Sequence, residues 1–287
     1  YLSALVSLTS GALLDFETGS GNGNELTLWR KMWHLLQSGD VILGDGKYSS
    51  YADIALLRGR GIDIVARFGK RKADFRKGQI IALEDHIVEW ERPKQLPAWL
   101  AGKCLPEKMM VRELRFHVAA AGFRSETVTI ATTLLDAETY PKQDIAELFF
   151  CRWQIELRLR DIKTILGMDI LRTKTPAQAR KELWMYLTAY NLLRTLMKAA
   201  AAKNKNIAAR ISFQGCRQRF LAVVTRNCPA KRFGGLYRML LNDLANDLNQ
   251  YRPLRIEPRA IKRRKKQYDL LNQPREVLRQ NLILQVV

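Results

Sequence analysis

Arg152, Glu156 and Lys163 carry the side chains in this sequence best suited to chemistry. They are separated by four and seven residues, so at about 100° per residue all three fall within about 40° of one another on an α-helix. Phe149, three residues before Arg152, extends the same stripe. A carboxylate bracketed by two cations suits phosphoryl transfer. Acids from separate elements can hold two Mg²⁺ ions about 4 Å apart, one activating a water or a 3′-hydroxyl and the other stabilising the leaving oxygen. Flanking cations would hold the phosphates of the cleaved strand, Arg by a planar fork and Lys as a point charge. The ordinary alternative is a solvated stripe whose Arg152–Glu156 pair contributes on the order of a few tenths of a kcal/mol. Spacing alone does not separate the two.

The second acid of interest is Asp45. Val41-Ile42-Leu43-Gly44 is a continuously apolar run, as in a strand buried on both faces of a sheet. Asp45-Gly46 follows at its carboxyl end, where open α/β sheets place ligand sites. Asp-Gly is also a common turn pair, and a partner such as Glu156 is what gives Asp45 a role. Neither a Ser/His/Asp arrangement nor a glycine-rich phosphate loop competes with this reading.

The elements that must position these residues can be sketched. Residues 51–60 read as a helix and 62–68 as a second buried strand, which with 41–44 makes a βαβ unit with parallel strands. Upstream, 2–8 and 12–18 flank a turn at Ser10-Gly11 and read as a hairpin, and 25–38 as an amphipathic helix. From Gly69 to about Asp136, short β-type runs at 79–83, 86–90, 113–118 and 127–134 suggest a β-rich insertion. Pro141 opens a helical stretch over 142–166 that Gly167 closes, and Thr175-Pro176 starts another that runs to Ala202. Helices at 207–226 and 235–249 lead to a basic tail containing Lys262, Arg263, Arg264, Lys265 and Lys266.

Charge narrows the class of partner. Forty-eight Lys and Arg against 28 Asp and Glu give +20 over 287 residues. Such an excess favours a polyanion, nucleic acid first, and makes the Lys262–Lys266 cluster a candidate contact to DNA phosphates rather than only a solvated tail. A hydrophobic content of 47% excludes wholesale disorder. No apolar stretch approaches the length of a bilayer span, and the apolar opening lacks a basic leader, so a cytoplasmic protein with no membrane partner is expected. Cys104, Cys151, Cys216 and Cys228 are too scattered for a zinc or disulfide framework. His34, His86 and His117 read as surface or core-edge residues.

Arg152-x₃-Glu156-x₆-Lys163, with an aromatic three residues before the Arg, resembles the Tyr-x₂-Arg-x₃-Glu-x₆-Lys signature of acid-triad insertion-sequence transposases of the insertion-sequence-four family. Trp153 and Ile155 match the Arg-Trp-x-Ile-Glu form, Gly44-Asp45-Gly46-Lys47-Tyr48 is similar to the segment bearing the second acid, and 258–264 is similar to the basic C-terminal segment. The resemblance implies an α/β fold with a ribonuclease-H-like core in 1–68 and 139–202, a β-rich insertion at 69–138 and a helical, basic region at 203–287. It implies Mg²⁺-dependent cleavage at transposon ends and strand transfer into target DNA by a bacterial, nucleoid-associated homodimer, with two ions for which Mn²⁺ can substitute. Asp45 and Glu156 would be catalytic metal ligands. Phe149, Arg152, Trp153, Lys163 and Lys262–Lys266 would touch DNA.

Two departures qualify the match. The signature Tyr is Phe149, which keeps the ring and loses the hydroxyl. The first acid of the family precedes the hairpin at 2–18, so it is expected upstream of residue 1; Asp15 and Asp40 are the nearest acids inside the chain and neither is assigned. The expectation is an incomplete core, lacking its first strand and one metal ligand and inactive alone. A non-enzymatic, transposase-derived DNA-binding protein and a different two-metal nuclease of the same fold are the competing readings. The Arg-Trp-x-Ile-Glu stripe argues against the second.

Overall fold

Strands whose apolar residues point to both faces dominate the centre of the protein. The computed structural model describes residues 2–19, 24–68, 73–118, 126–202, 210–225, 233–249 and 277. All but the last lie in one compact unit. The strands β1 (Leu2–Val6) and β2 (Leu13–Thr18) form the expected antiparallel hairpin. The helix α1 (Glu25–Lys31), capped by the Asn24 side chain, tightens into a 3₁₀ turn at Met32–Leu35. The βαβ unit is present as β3 (Val41–Gly44), α2 (Tyr51–Arg58) and β4 (Asp63–Arg67), with β3 and β4 parallel.

The region expected as a β-rich insertion supplies β5 (Gln79–Ala82), β6 (Asp85–Glu91), β7 (Lys108–Val118) and β8 (Glu126–Thr132). These do not form a separate sheet. β8 pairs antiparallel with β4, giving one six-stranded sheet in the order β3-β4-β8-β7-β6-β5. The strand β7 starts five residues before the expected 113, because charged Arg112 belongs inside it. Its side chain is 1% exposed. Nε and Nη2 grip the Asp85 carboxylate at 2.8 and 2.6 Å, and Nη1 donates to the Tyr140 carbonyl at 2.7 Å. His86, expected at the surface or the edge of the core, is instead buried, with Nε2 3.0 Å from Glu113 Oε2. Trp90 Nε1 donates to the other oxygen of that carboxylate at 2.7 Å.

Alternation along β4 sorts the core. Ile64 and Ala66 face a cluster with Tyr51, Ile54 and Ala55 of α2, while Val65 faces one with Ile145 and Phe149. Helices therefore cover both faces of the sheet, as expected for an α/β core.

The helix expected over 142–166 is subdivided. The α-helices α3 (Lys142–Cys151) and α4 (Trp153–Arg160) meet at Arg152, and Asp161–Ile165 is a π turn. Arg152 keeps helical dihedrals, φ −54° and ψ −34°. The Arg152 amide donates to Phe149 O and the Ile155 amide to Arg152 O, so the break is a local tightening rather than a change of chain direction. Gly167 closes the stretch at φ +82°. Beyond it lie α5 (Pro176–Ala200), α6 (Phe213–Val224) and α7 (Phe233–Asn246), which pack together and onto Leu13 and Phe16 of β2. Tyr190 of α5 donates to Gly11 O, and Asn191 bonds both the amide and the carbonyl of Leu13, tying the hairpin to this layer. Among the described residues no helix is long and apolar enough to cross a membrane.

Candidate active site

Asp45 stands at the carboxyl end of β3, where Leu43 faces the cluster containing Phe149. Its backbone stays extended, φ −82° and ψ −176°, so it continues the alternation on the side of α3. Its Oδ1 accepts from the Lys47 amide at 2.9 Å and caps the 3₁₀ turn Gly46–Tyr48. Gly44 is required here, since a Cβ would lie 2.7 Å from Tyr48 Cβ.

The turn is held from α1. Glu25 accepts from Lys47 Nζ and from the Tyr48 hydroxyl, each at 2.9 Å. The Lys47 bond is the main cause that holds the Glu25 carboxyl below its ordinary range. Burial, then the bond to Glu25, pushes the Tyr48 phenol well above its own. Tyr48 belongs to the segment singled out in the sequence around Asp45, whereas Glu25 does not stand out as its support, because it lies 22 residues before Lys47. A Glu in the first turn of an amphipathic helix was the sole local signal.

The other acid is presented by α4. Glu156 is 48% exposed, with its Oε1 3.5 Å from Arg152 Nη1. Phe149 departs from the expected surface stripe. It is 5% exposed and packed among Val65, Leu114, Ile130 and Ile145, and its ring lies 5.6 Å below the Arg152 guanidinium. The aromatic thus backs the Arg from the core side. Arg152 Nε is buried without a hydrogen-bond partner. Lys163 is exposed on the π turn, whose wider winding takes it off the phase of an uninterrupted helix. The backbone of Trp153 opens α4, while its side chain lies outside the described residues, as do Lys262, Arg263, Arg264, Lys265 and Lys266.

Leu43 and Phe149 share one cluster, so the strand ending at Asp45 and the helix leading to Glu156 pack on the same face of the sheet. Glu156 lies seven residues past Phe149, which is about two helical turns further on. Among the described residues no three His, Cys, Asp or Glu side chains are grouped closely enough to hold a metal ion. The donors that these two positions offer are carboxylate oxygens, a set that suits Mg²⁺ or Mn²⁺.

Residues 1–192 match the family described as the transposase DDE domain. The chain belongs to that family. Its six-stranded mixed sheet with helices on both faces is compatible with a ribonuclease-H-like transposase fold. The DDE-domain chain is 32% identical over 136 residues to the transposase InsG for insertion sequence element IS4 of Escherichia coli (strain K12), covering 47% of this chain and 28% of that protein. It is 29% identical over 107 residues to the transposase for insertion sequence element IS421 of Escherichia coli, covering 34% of this chain and 29% of that one. The matched stretches therefore span less than a third of these relatives' lengths.

Proposed function

We propose that the protein containing this chain is a DNA transposase that cleaves transposon ends and joins them to target DNA, with Asp45 and Glu156 as acids of its metal site. The single observation that carries the reading is the shared packing of Leu43 and Phe149, which sets the strand ending at Asp45 and the helix leading into the Glu156-bearing α4 on one face of a sheet in a DDE-domain chain. Mg²⁺ bound there would supply a Lewis acid for the reacting phosphate and an activated water or hydroxyl. The residues of the chain do the rest. Asp45 and Glu156 hold the ions, Arg152 forks onto a phosphate with Phe149 behind it, and Lys163 places a second cation further along the strand.

β1 pairs only with β2 and β3 only with β4 among the described strands. Leu5 of β1 and Ile42 of β3 nonetheless pack on one cluster around Trp29 and Trp33. On this reading 1–68 and 139–202 form the catalytic core, 69–138 an insertion that extends its sheet, and 203–287 a helical region whose Lys262–Lys266 cluster meets DNA. Two copies would act together on paired ends.

The test is Glu156→Gln in the full-length transposase, assayed on a duplex of its own terminal repeat. Cleavage should vanish while binding of the duplex persists. Cleavage at the wild-type rate in Mg²⁺ would remove Glu156 from the site.

A further inference from the structure

α4 has eight residues, with no side-chain cap at its start and a π turn at its end. An amphipathic helix is normally held by an apolar stripe. Here Leu157 is exposed, and Ile155 and Leu159 are only half-buried. Among the α4 side chains that are described, Arg158 alone is buried, at 9% exposure. Its Nη1 donates to Ser7 O at 2.9 Å, and its Nη2 reaches Leu8 O at 3.5 Å and Gln154 Oε1 at 2.9 Å. Ser7 and Leu8 belong to the turn of the β1–β2 hairpin, which Tyr190 and Asn191 fasten to α5.

We infer that Arg158 is a positioning residue that fixes the helix presenting Glu156, by locking α4 to the backbone of the β1–β2 turn. The inference rests on the reading of Glu156 as a metal-holding acid. The two residues are two positions apart, about 200° around the helix, so drawing Arg158 inward turns Glu156 outward. The planar guanidinium spans two carbonyls and an amide at once, whereas a Lys ammonium concentrates its donors at one point. Placing a charged group inside without a carboxylate bonded to it is costly, and what it secures is the orientation of a helix with little apolar hold of its own.

The test uses Arg158→Met and Arg158→Lys in the full-length transposase, with Glu156→Gln beside them. Single-turnover cleavage by Arg158→Met should slow by on the order of 10- to 100-fold and need more Mg²⁺ for its half-maximal rate. Affinity for end DNA, measured in Ca²⁺, should be unchanged. Amides 154–160 should exchange faster while β7 and β8 keep their protection. Arg158→Lys should fall between this variant and the wild type. Wild-type cleavage by both variants beside an inactive Glu156→Gln would overturn the inference, and so would lost protection spread over β7 and β8. Should Glu156→Gln itself cleave, the reading of the site fails, and the exchange pattern still decides whether Arg158 holds α4.

Discussion

Arg30 holds Asp53 in a two-point ion pair, Nε to Oδ1 at 2.7 Å and Nη2 to Oδ2 at 2.9 Å, joining α1 to α2. Asp53 is fully buried and also accepts from the Ser50 hydroxyl, while the Arg30 guanidinium lies 3.7 Å from the centroid of the Trp99 ring. One side chain thereby links the two helices that flank β3 to the segment between β6 and β7. Removing one partner of a buried pair costs about 3–5 kcal/mol. Arg30 keeps some water access and its stacking on Trp99, so Asp53→Ala should fall at the lower end of that range, read as a shift in the urea midpoint. Adding Arg30→Met should recover part of the loss. A single variant as stable as the wild type would show that the pair contributes nothing.

Glu25 supplies a dependence on pH. Its carboxyl is held below its ordinary value, chiefly by Lys47. A depressed folded-state pKa contributes stability that is present above the unfolded value and is lost as pH falls through the folded one. The difference in melting temperature between wild type and Glu25→Gln should therefore be full at neutral pH and shrink as pH falls below the ordinary glutamate value of about 4.3. A difference that stayed constant into acid would rule out this linkage.

Gly44 has no room for a methyl group. Gly44→Ala drives a Cβ against Tyr48 and displaces the turn that Asp45 caps. Overpacking of this kind costs about 1–3 kcal/mol. Thermal denaturation should register that loss, and cleavage by the full-length protein should fall beyond what lowered stability explains. Unaltered cleavage in a destabilised variant would separate the turn from the chemistry.

The Lys262–Lys266 cluster makes an electrostatic prediction. Replacing all five residues with Ala should weaken binding to end DNA and flatten its dependence on salt, because each phosphate contact contributes roughly −0.9 to the slope of log K against log salt on duplex DNA. Titration at several salt concentrations reads the change directly. An unaltered slope would identify a solvated tail.

Much of the frame was legible in the chain. The apolar run at Val41–Gly44 marked a strand, and the spacing to Ile62–Phe68 set its parallel partner through α2. However, β3 is an edge of the six-stranded sheet, with Val41 exposed and Ile42 and Leu43 half-buried, rather than a strand buried on both faces. Thr175-Pro176 opens α5 as read, with Thr175 capping Gln178. Local pattern determines these elements because hydrophobic period and capping act over a few residues. What escaped were charged residues placed inside. Arg112, Asp85, His86 and Glu113 are polar types that local pattern does not place inside, and their burial is satisfied by distant partners, with Asp85 and Arg112, and His86 and Glu113, each 27 residues apart on neighbouring strands.

The same division applies to the candidate site. The sequence by itself determined which residues could do the chemistry, the Asp45 turn and the Phe149, Arg152, Glu156 and Lys163 stripe, since residue type and helical spacing are local properties. Tertiary structure decided how they are held. It turned Phe149 into the core behind Arg152, placed Lys163 on a π turn, and supported Asp45 through Glu25 and Tyr48. It also moored α4 through Arg158 to carbonyls about 150 residues earlier in the chain. A buried guanidinium is stable only where distant backbone oxygens converge on it, and no local window of sequence encodes that convergence.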